Sequence, residues 1–242
     1  MCSSDLKTRA QTSDDRKQGT TVRVWPDPKY FESSALPMNE LVHLLRSKAV
    51  LMPGVSVTLV NEKAKDTQTW QYKGGLTDYL MQTLQGEPVI PLFDGEGYAD
   101  GNNESFADGE GAAWAVAFTE EGQPVRESYV NLIPTSAGGT HDSGLRDGLF
   151  NAVKSFIDLH ALLPKGVKLM PEDVFARASY VLSAKVLDPQ FQGQIKERLN
   201  SRDAVRLVSS FVRPTLELWL NQHVEHGKKL ADRKSTRLNS SH

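Results

Sequence analysis

The feature that most constrains this fold is a long helical pattern near the end of the chain, from Arg202 to Ala231. Its apolar residues recur at three- and four-residue spacing, which predicts a helix with one buried face. They are Val205, Val208, Val212, Leu216, Trp219 and Leu220. Pro214 lies inside the pattern and predicts a kink or a helix break, because proline has no backbone N–H to donate. Such a helix has to bury its apolar face against another layer of the domain.

The rest of the chain provides strands and helices in separate runs. Alternating residues predict strands at Thr20–Trp25, Val55–Leu59, Thr67–Tyr72, Ala112–Phe118, Val125–Ile133 and Tyr180–Val186. Apolar spacing predicts helices at Pro37–Ala49, at Leu76–Leu84 and from Thr140 to about Leu159, with a short helix opened by Pro171. Polar turns join the second strand to the third and the fourth to the fifth, which predicts two antiparallel hairpins. The glycine-rich segment Phe93–Gly111 predicts an extended loop, and the whole pattern predicts an α+β fold.

A polar stretch, Asp188–Asp203, joins the last strand to the long helix. Connections in compact domains are commonly about 4–6 residues long, so a connection of this length calls for a function. Lys196 lies in its middle, close to Gly193 and to the amides of Gln192 and Gln194. A lysine on a glycine-containing connection between strand and helix is a candidate phosphate contact. A solvated surface lysine is the alternative that the residues alone leave open.

A second candidate anion site is Gly138-Gly139-Thr140, at the start of a predicted helix. Free backbone amides at a helix N-terminus can bind an anion, although two glycines can also serve only to make the turn. His141 and Asp142 follow, and they suggest general acid–base chemistry. Capping of the helix by Thr140 or Asp142 is the interpretation that the residues favour.

Composition excludes several other kinds of site. The net charge of -2 is not the basic footprint of an autonomous nucleic-acid-binding domain. The single cysteine, Cys2, excludes a disulfide framework and a cysteine-based zinc cluster. His160, His223 and His226 make no convincing metal set, because the last two are close together but lack a third ligand. No apolar run approaches the roughly 20 residues of a membrane helix, so no membrane contact is expected.

The two ends of the chain read as non-native sequence. Asp232–His242 matches a translated sequencing adapter, and Cys2–Leu6 matches the opposing adapter. Residues 1–18 are therefore interpreted as a non-native start followed by a polar loop, and residues 232–242 as a non-native tail. A pair of disordered polar tails is the alternative.

Several strings resemble the ATPase subunits of bacterial type IIA DNA topoisomerases. GTTVRVWP, from Gly19, resembles the last part of their GHKL ATPase domain. YVNLIPT from Tyr129, GGTH from Gly138 and LPKGVKL from Leu163 resemble their transducer domain. These strings are more similar to the topoisomerase IV type (ParE) than to its gyrase counterpart.

The resemblance implies a division of the chain and a fold for each part. Residues 19–73 would be the C-terminal strand–helix–hairpin piece of a GHKL ATPase domain. Residues 74–231 would be a transducer domain of the left-handed βαβ type, also called ribosomal protein S5 domain 2-like.

The resemblance also implies a function. The family couples ATP binding and hydrolysis to closure of a dimeric clamp and to passage of one DNA duplex through another, which gives decatenation and relaxation. The expected cofactors are ATP and Mg²⁺. The expected partners are DNA, the ParC-type protein of topoisomerase IV in a heterotetramer, and a second copy of the chain, in the cytoplasm. A fragment of the gyrase counterpart, or a transducer module without catalysis of its own, is the alternative.

Three residues carry over to the ATP site. The family's transducer places a Gln-Thr-Lys loop at the γ-phosphate, and the matching positions are Gln194, Ile195 and Lys196. Lys196 would be the catalytic charge contact and Gln194 its hydrogen-bonding neighbour, whereas Ile195 departs from the motif and lacks the threonine hydroxyl. Thr20 matches a threonine near the adenine. Most of the ATP and Mg²⁺ site is expected outside this chain, so the chain alone is not expected to hydrolyse ATP.

Overall fold

The computed structural model describes residues 18–33 and 35–239, with side chains as far as residue 232. Its helices are α1 (Met38–Leu51), α2 (Gly75–Thr83), α3 (Thr140–Leu159), α4 (Pro171–Phe175), α5 (Asp203–Gln222) and α6 (Val224–Asn239). Its strands are β1 (Val57–Asn61), β2 (Asp66–Trp70), β3 (Phe93–Tyr98), β4 (Gly111–Phe118), β5 (Arg126–Val130), β6 (Ile133–Pro134), β7 (Ala178–Lys185), β8 (Phe191–Gln192) and β9 (Arg198–Leu199).

The chain divides into two compact units on either side of the bond between Leu41 and Val42. The domain boundary expected at residue 74 stays a prediction. The adapter origin of the two ends also stays a prediction: residues 1–17 and 240–242 lie outside the described part, and α6 extends into the predicted tail.

The first unit contradicts the strand predicted at Thr20–Trp25. Residues 18–27 form neither helix nor strand, and the side chains of Val22 and Trp25 are 78% and 69% exposed. A strand needs a neighbour that pairs with its backbone N–H and C=O groups, and no strand of the described residues pairs here. The alternation of residues in the sequence indicates that a strand would have two different faces, but it does not show that a neighbouring strand is present to pair with it.

The second unit is built on a five-stranded mixed sheet with the order β3-β4-β7-β5-β6. β4 pairs antiparallel with β7, and β7 pairs parallel with β5. Parallel strands need a crossover connection, and α3 and α4 lie in the connection between β5 and β7. The second unit therefore contains the βαβ element that the resemblance implied, while the handedness of its crossover stays a prediction.

Alternate residues of β4 divide the apolar side chains between two cores. Trp114 and Val116 belong to the larger core, together with residues of α3 and α5. Ala115 and Ala117 belong to the smaller core, together with residues of α1 and α2. Because successive side chains of a strand point to opposite faces, the sheet is covered on both sides.

Two glycines let α3 and α5 approach each other closely. A Cβ on Gly144 would lie 2.5 Å from the carbonyl oxygen of Val205, and a Cβ on Gly148 would lie 3.1 Å from Cβ of Val212. The contacts advance in the same direction along both helices. The two helices are therefore parallel, and their N-termini lie at the same end of the sheet.

Most predicted elements are confirmed to within a few residues, including α1, α2, α3, α4, β4, β7 and the β1–β2 hairpin. The predicted hairpin between β4 and β5 is wrong, because β7 lies between these two strands. β7 follows α3 and α4 in the chain, so its insertion leaves no local signal at the turn between β4 and β5.

The extended loop predicted at Phe93–Gly111 is wrong over its first part, because β3 pairs there with β4. Glycines hide the strand pattern. A Cβ on Gly95 would lie 3.0 Å from the Trp114 ring, and a Cβ on Gly97 would lie 2.5 Å from the Phe211 ring. Both glycines therefore make room for an aromatic side chain.

Of the two outcomes predicted at Pro214, the helix break is wrong, and the kink stays a prediction. α5 passes through Pro214, and the chain leaves the helix at His223, between α5 and α6. Pro214 is exposed, so the carbonyl of Ser210, which its missing N–H would have bonded, can bond to water. Neither helix, nor any other in the described part of the chain, is long and apolar enough to cross a membrane.

Candidate phosphate-contact site

The polar stretch Asp188–Asp203 folds as a two-stranded hairpin instead of an open loop. β8 and β9 pair in antiparallel register. At the base, the Asn200 amide donates to the Gln190 carbonyl (2.7 Å), and the Gln190 amide donates to the Ser201 hydroxyl (2.8 Å). The ends of the stretch are therefore joined, and only residues 193–197 turn the chain.

Lys196 lies at the exposed tip of this hairpin. Its backbone φ is 55°, and that of Gly193 is 77°, so two left-handed residues make the turn. The Lys196 ammonium lies 5.8 Å from the centre of the Phe191 ring, within cation–π range. Gln194 and Ile195 are exposed beside it. An exposed ammonium and a neighbouring amide can both donate hydrogen bonds to an anionic oxygen.

A second segment, residues 135–141, holds the hairpin from the side, and we call it the strap. The Ala137 amide donates to the carbonyl of Glu197 (3.0 Å). In the opposite direction, the Leu199 amide donates to the carbonyl of Gly138 (3.1 Å). The two bonds fix the hairpin strand that directly follows Lys196 in the chain.

Gly139 shows why the strap needs glycine. It forms a parallel β-bridge with Leu199, its φ is 142°, and a Cβ at this position would lie 2.6 Å from the Leu199 nitrogen. Any side chain would therefore push the strap away from the hairpin. The positive φ values of Gly138 and Gly139 support the sequence interpretation that the glycines make the turn, and the close packing of Gly139 is a further reason for glycine that the sequence did not indicate. Anion binding by the amides stays a prediction.

The polar residues at the start of α3 do not cap it. The N-cap is Gly139, and no side chain caps the helix, so the predicted capping by Thr140 or Asp142 is wrong. Asp142 instead accepts a hydrogen bond of 2.5 Å from the hydroxyl of Tyr180. β7 brings this phenol to the carboxylate, and burial, followed by the carboxylate charge, raises the pKa of Tyr180.

His141 is fully buried. Its Nε2 lies 3.0 Å from the hydroxyl oxygen of Thr135, and burial lowers the pKa of the imidazole to about 4. A general base has to reach the proton that it abstracts, and no atom of His141 is accessible to a substrate. General acid–base chemistry at His141 therefore has no support in this structure.

The remaining predicted site residue, Thr20, lies in the first unit. It is exposed and belongs to no helix or strand. Lys196 and Gln194 lie in the second unit, next to each other on the hairpin. That all three contact one nucleotide stays a prediction.

A polar cluster that the sequence did not indicate joins α1 and α2 to β5. The Glu127 carboxylate accepts hydrogen bonds from the hydroxyls of Tyr79 (2.8 Å) and Tyr129 (2.6 Å). Arg46 donates to the Tyr72 hydroxyl (2.7 Å), and its guanidinium lies 5.0 Å from the Tyr79 ring. Burial and then Glu127 raise the pKa of both Tyr79 and Tyr129, so both phenols stay protonated donors. No spacing links these residues, and only the fold brings them together.

The chain is similar to known proteins over most of its length. The profile of the family DNA gyrase B matches residues 75–240. The B subunit of DNA topoisomerase 4 from Pseudomonas aeruginosa is 45% identical over 218 residues, which cover 90% of this chain and 34% of that protein. The chain thus spans about a third of the length of the curated relatives that it matches.

Solved structures with the same fold exist. The ATP-binding domain of topoisomerase IV from Francisella tularensis, in complex with a small-molecule inhibitor, is 33% identical with a TM-score of 0.71, and the match covers 88% of this chain and 56% of that one. The 43K ATPase domain of Thermus thermophilus gyrase B, in complex with an aminocoumarin, has a TM-score of 0.70 at 20% identity, covering 89% of this chain and 59% of that one. The second likeness shows the fold alone, and together they confirm the predicted fold class.

Proposed function

Because the chain belongs to the DNA gyrase B family, we propose that it is part of the ATP-hydrolysing component of a type IIA DNA topoisomerase. The 45% identity to a DNA topoisomerase 4 protein favours the topoisomerase IV type. In this proposal the whole protein couples ATP binding and hydrolysis to clamp closure and strand passage. It acts on DNA with the ParC-type protein of topoisomerase IV, and it dimerises through its ATPase region.

Lys196 is the residue proposed to contact the γ-phosphate of ATP. The observation that carries this proposal is an exposed ammonium at the tip of a hairpin that is hydrogen-bonded at its base and at its side. An ammonium about 4 Å from a phosphate charge contributes about 4 kcal/mol before desolvation, at an effective dielectric constant near 20. ATP and ADP differ at the γ-phosphate, so this contact distinguishes them. Gln194 would add a hydrogen bond, while Ile195 offers only apolar surface.

The residues present fit an anion better than they fit a metal ion. In the part of the chain that the structure describes, no three His, Cys, Asp or Glu side chains lie together as a metal site. We therefore propose that Mg²⁺ is held by the phosphates of ATP and by residues other than those of the hairpin. When bound, Mg²⁺ would neutralise charge on the phosphates. Thr20 is the residue proposed to lie near the adenine.

A chimera tests the role of Lys196. Residues 19–231 of this chain would replace the matching segment of the Pseudomonas aeruginosa relative, assembled with the ParC-type protein and DNA. Lys196→Ala should lower the ATPase rate at least about tenfold, because one charge contact to the phosphate is lost. Lys165→Ala removes another exposed loop lysine and should leave the rate within about twofold. ATPase activity of Lys196→Ala equal to that of the Lys165→Ala control would refute the role.

Gyrase activity is the second candidate, because the matching family profile is that of DNA gyrase B. The same chimera can be assayed for ATP-dependent decatenation of linked circles and for negative supercoiling of relaxed plasmid. Decatenation without supercoiling is the expected outcome, and supercoiling would favour gyrase.

The 242-residue chain by itself is proposed to act as a module that does not bind ATP. Only Lys196, Gln194 and Thr20 are proposed to reach the nucleotide, and so few contacts do not offset the entropy that a ligand loses on binding. Calorimetric titration with ATP should show no binding in the micromolar range. Micromolar affinity would show that this chain holds a complete site.

A further inference from the structure

Buried side chains join the two ends of the strap. The hydroxyl oxygen of Thr135 lies 2.7 Å from the hydroxyl of Ser128 and 2.8 Å from the Ser128 carbonyl. It also lies 3.0 Å from Nε2 of His141. Thr135 and His141 begin and end the strap, so their hydrogen bond closes it into a loop. The middle of that loop carries the backbone groups that bond to the hairpin.

The hydrogen-bond pattern assigns the proton of His141 to Nε2. The Thr135 hydroxyl has one proton and donates it to the Ser128 carbonyl, so it can only accept from the imidazole. Nδ1 of His141 is then unprotonated. It is buried and has no hydrogen-bond partner among the described residues, and an orphaned acceptor is less rare in proteins than an orphaned N–H. The Nε2–H donor of a neutral imidazole therefore closes the strap.

We propose that His141 is a positioning residue for Lys196, an inference that rests on the proposed contact of Lys196 with ATP. The imidazole holds Thr135, and this bond holds the strap in the shape that pairs with Glu197 and Leu199. Glu197 is the next residue after Lys196, so the strap fixes the backbone on one side of the ammonium-bearing residue. Because His141 is fully buried, its effect on Lys196 has to pass through these contacts.

Amide hydrogen exchange, followed by NMR on the whole chain, measures the strap directly. The Leu199 amide reports the bond between hairpin and strap, and the Asn200 amide reports the bond inside the hairpin to Gln190. Thr135→Val removes the hydroxyl but keeps the shape, and it should speed exchange at Leu199 about tenfold while Asn200 changes less than twofold. Thr135→Ser keeps the hydroxyl, so exchange at Leu199 should be as slow as in the parent chain.

His141 variants separate positioning from a general loss of stability. His141→Gln keeps a donor near the place of Nε2 and should exchange like the parent at Leu199, whereas His141→Leu should not. Equal acceleration at Leu199 and Asn200, or none at either, would overturn the proposal. If the valine and leucine variants do not fold, Ser128→Ala removes one bond to the Thr135 hydroxyl. It should speed exchange at Leu199 selectively, by about threefold, and the absence of a selective change would also overturn the proposal.

ATPase rates of the chimera link the strap to the lysine. Thr135→Val should lower the ATPase rate, and the double variant with Lys196→Ala should be no slower than Lys196→Ala alone, because residues that act as one unit are not additive. A further loss in the double variant would show that the strap acts on something other than Lys196. If Lys196→Ala is itself fully active, the proposed ATP contact fails, while the exchange data still decide whether His141 positions the hairpin.

Discussion

His141 should make the stability of this chain depend on pH between neutrality and mild acid. Burial lowers the pKa of its imidazole from 6.5 to about 4. A proton added to Nδ1 would form an N–H group without an acceptor among the described residues, next to a closed network of hydroxyls. The carboxylate of the neighbouring Asp142 accepts its hydrogen bond from the Tyr180 hydroxyl.

The sign of the effect follows from the direction of the pKa shift. At pH 7 the imidazole is mostly neutral in both the folded and the unfolded chain, so nearly all of its contribution to stability is present. Between pH 6.5 and about 4 the unfolded chain binds a proton that the folded chain excludes, so acid favours unfolding. One pH unit corresponds to about 1.4 kcal/mol, and the interval between the two pKa values therefore lowers the free energy of unfolding by roughly 3 kcal/mol.

Urea unfolding of the parent chain and of His141→Gln at a series of pH values from about 7 to about 4 measures this effect. Aspartates and glutamates titrate in both proteins, so the difference between the two stability curves isolates the imidazole. We expect the parent to lose about 3 kcal/mol more than His141→Gln over this range. Parallel curves would refute the reasoning, since they would show that His141 takes up its proton equally well in the folded and unfolded chain.

Two further predictions concern glycines at which an added Cβ would clash with a neighbouring group. Gly139→Ala should lower stability by about 2–3 kcal/mol in thermal unfolding, because its Cβ would meet the backbone of Leu199 in addition to the strain of a positive φ. Gly166 also has a positive φ, but a Cβ there would meet nothing within 4 Å, so Gly166→Ala should lower stability by only about 1 kcal/mol. Equal losses of stability in the Gly139→Ala and Gly166→Ala variants would contradict the clash with Leu199. Gly97→Ala should cost about 1–3 kcal/mol, since its Cβ would lie 2.5 Å from the Phe211 ring, and unchanged stability would show that the ring moves freely.

The sequence predicts best those elements whose own residues show which face is buried. α3 and α5 each have an apolar stripe, and the bounds of α3 and the start of α5 are recovered within a few residues, whereas the predicted pattern runs past the end of α5 into α6. The residues of β3 do not show its buried face, because Gly95 and Gly97 have no side chains that could alternate between apolar and polar. Their partner aromatics, Trp114 and Phe211, belong to other elements. The residues that show which face of β3 is buried therefore lie in other elements of the chain.

Pairing between strands is the second thing that local pattern cannot show. A strand reads the same whether its neighbour is the next strand in the chain or a later one. The pattern of Val125–Ile133 predicts a return against β4, yet β5 lies against β7, which follows two intervening helices. The helix break predicted at Pro214 is wrong because its outcome also depends on the surroundings in the fold. A proline frees one helix carbonyl, and the helix can continue where water reaches that carbonyl.

The candidate site divides in the same way. Lys196 can be singled out from the sequence, because a lysine and a glycine stand in a polar stretch between a strand and a helix. The strap cannot, because its bonds to the hairpin are made by backbone groups, and those carry no residue signature. His141 reads as an acid–base group next to Asp142, although it is the buried side chain that closes the strap.

The position of Lys196 depends on how α3 and α5 pack against each other. Gly139, at the start of α3, packs against Leu199, which lies just before α5. Gly144 and Gly148 then keep α3 and α5 in close parallel contact along the sheet. Because the strap leads into one helix and the hairpin into the other, a sliding of α5 along α3 would shift the hairpin against the strap and displace the ammonium. Packed interfaces of this kind move between discrete arrangements and do not deform continuously, which is the property that the proposed contact of Lys196 with the γ-phosphate would require.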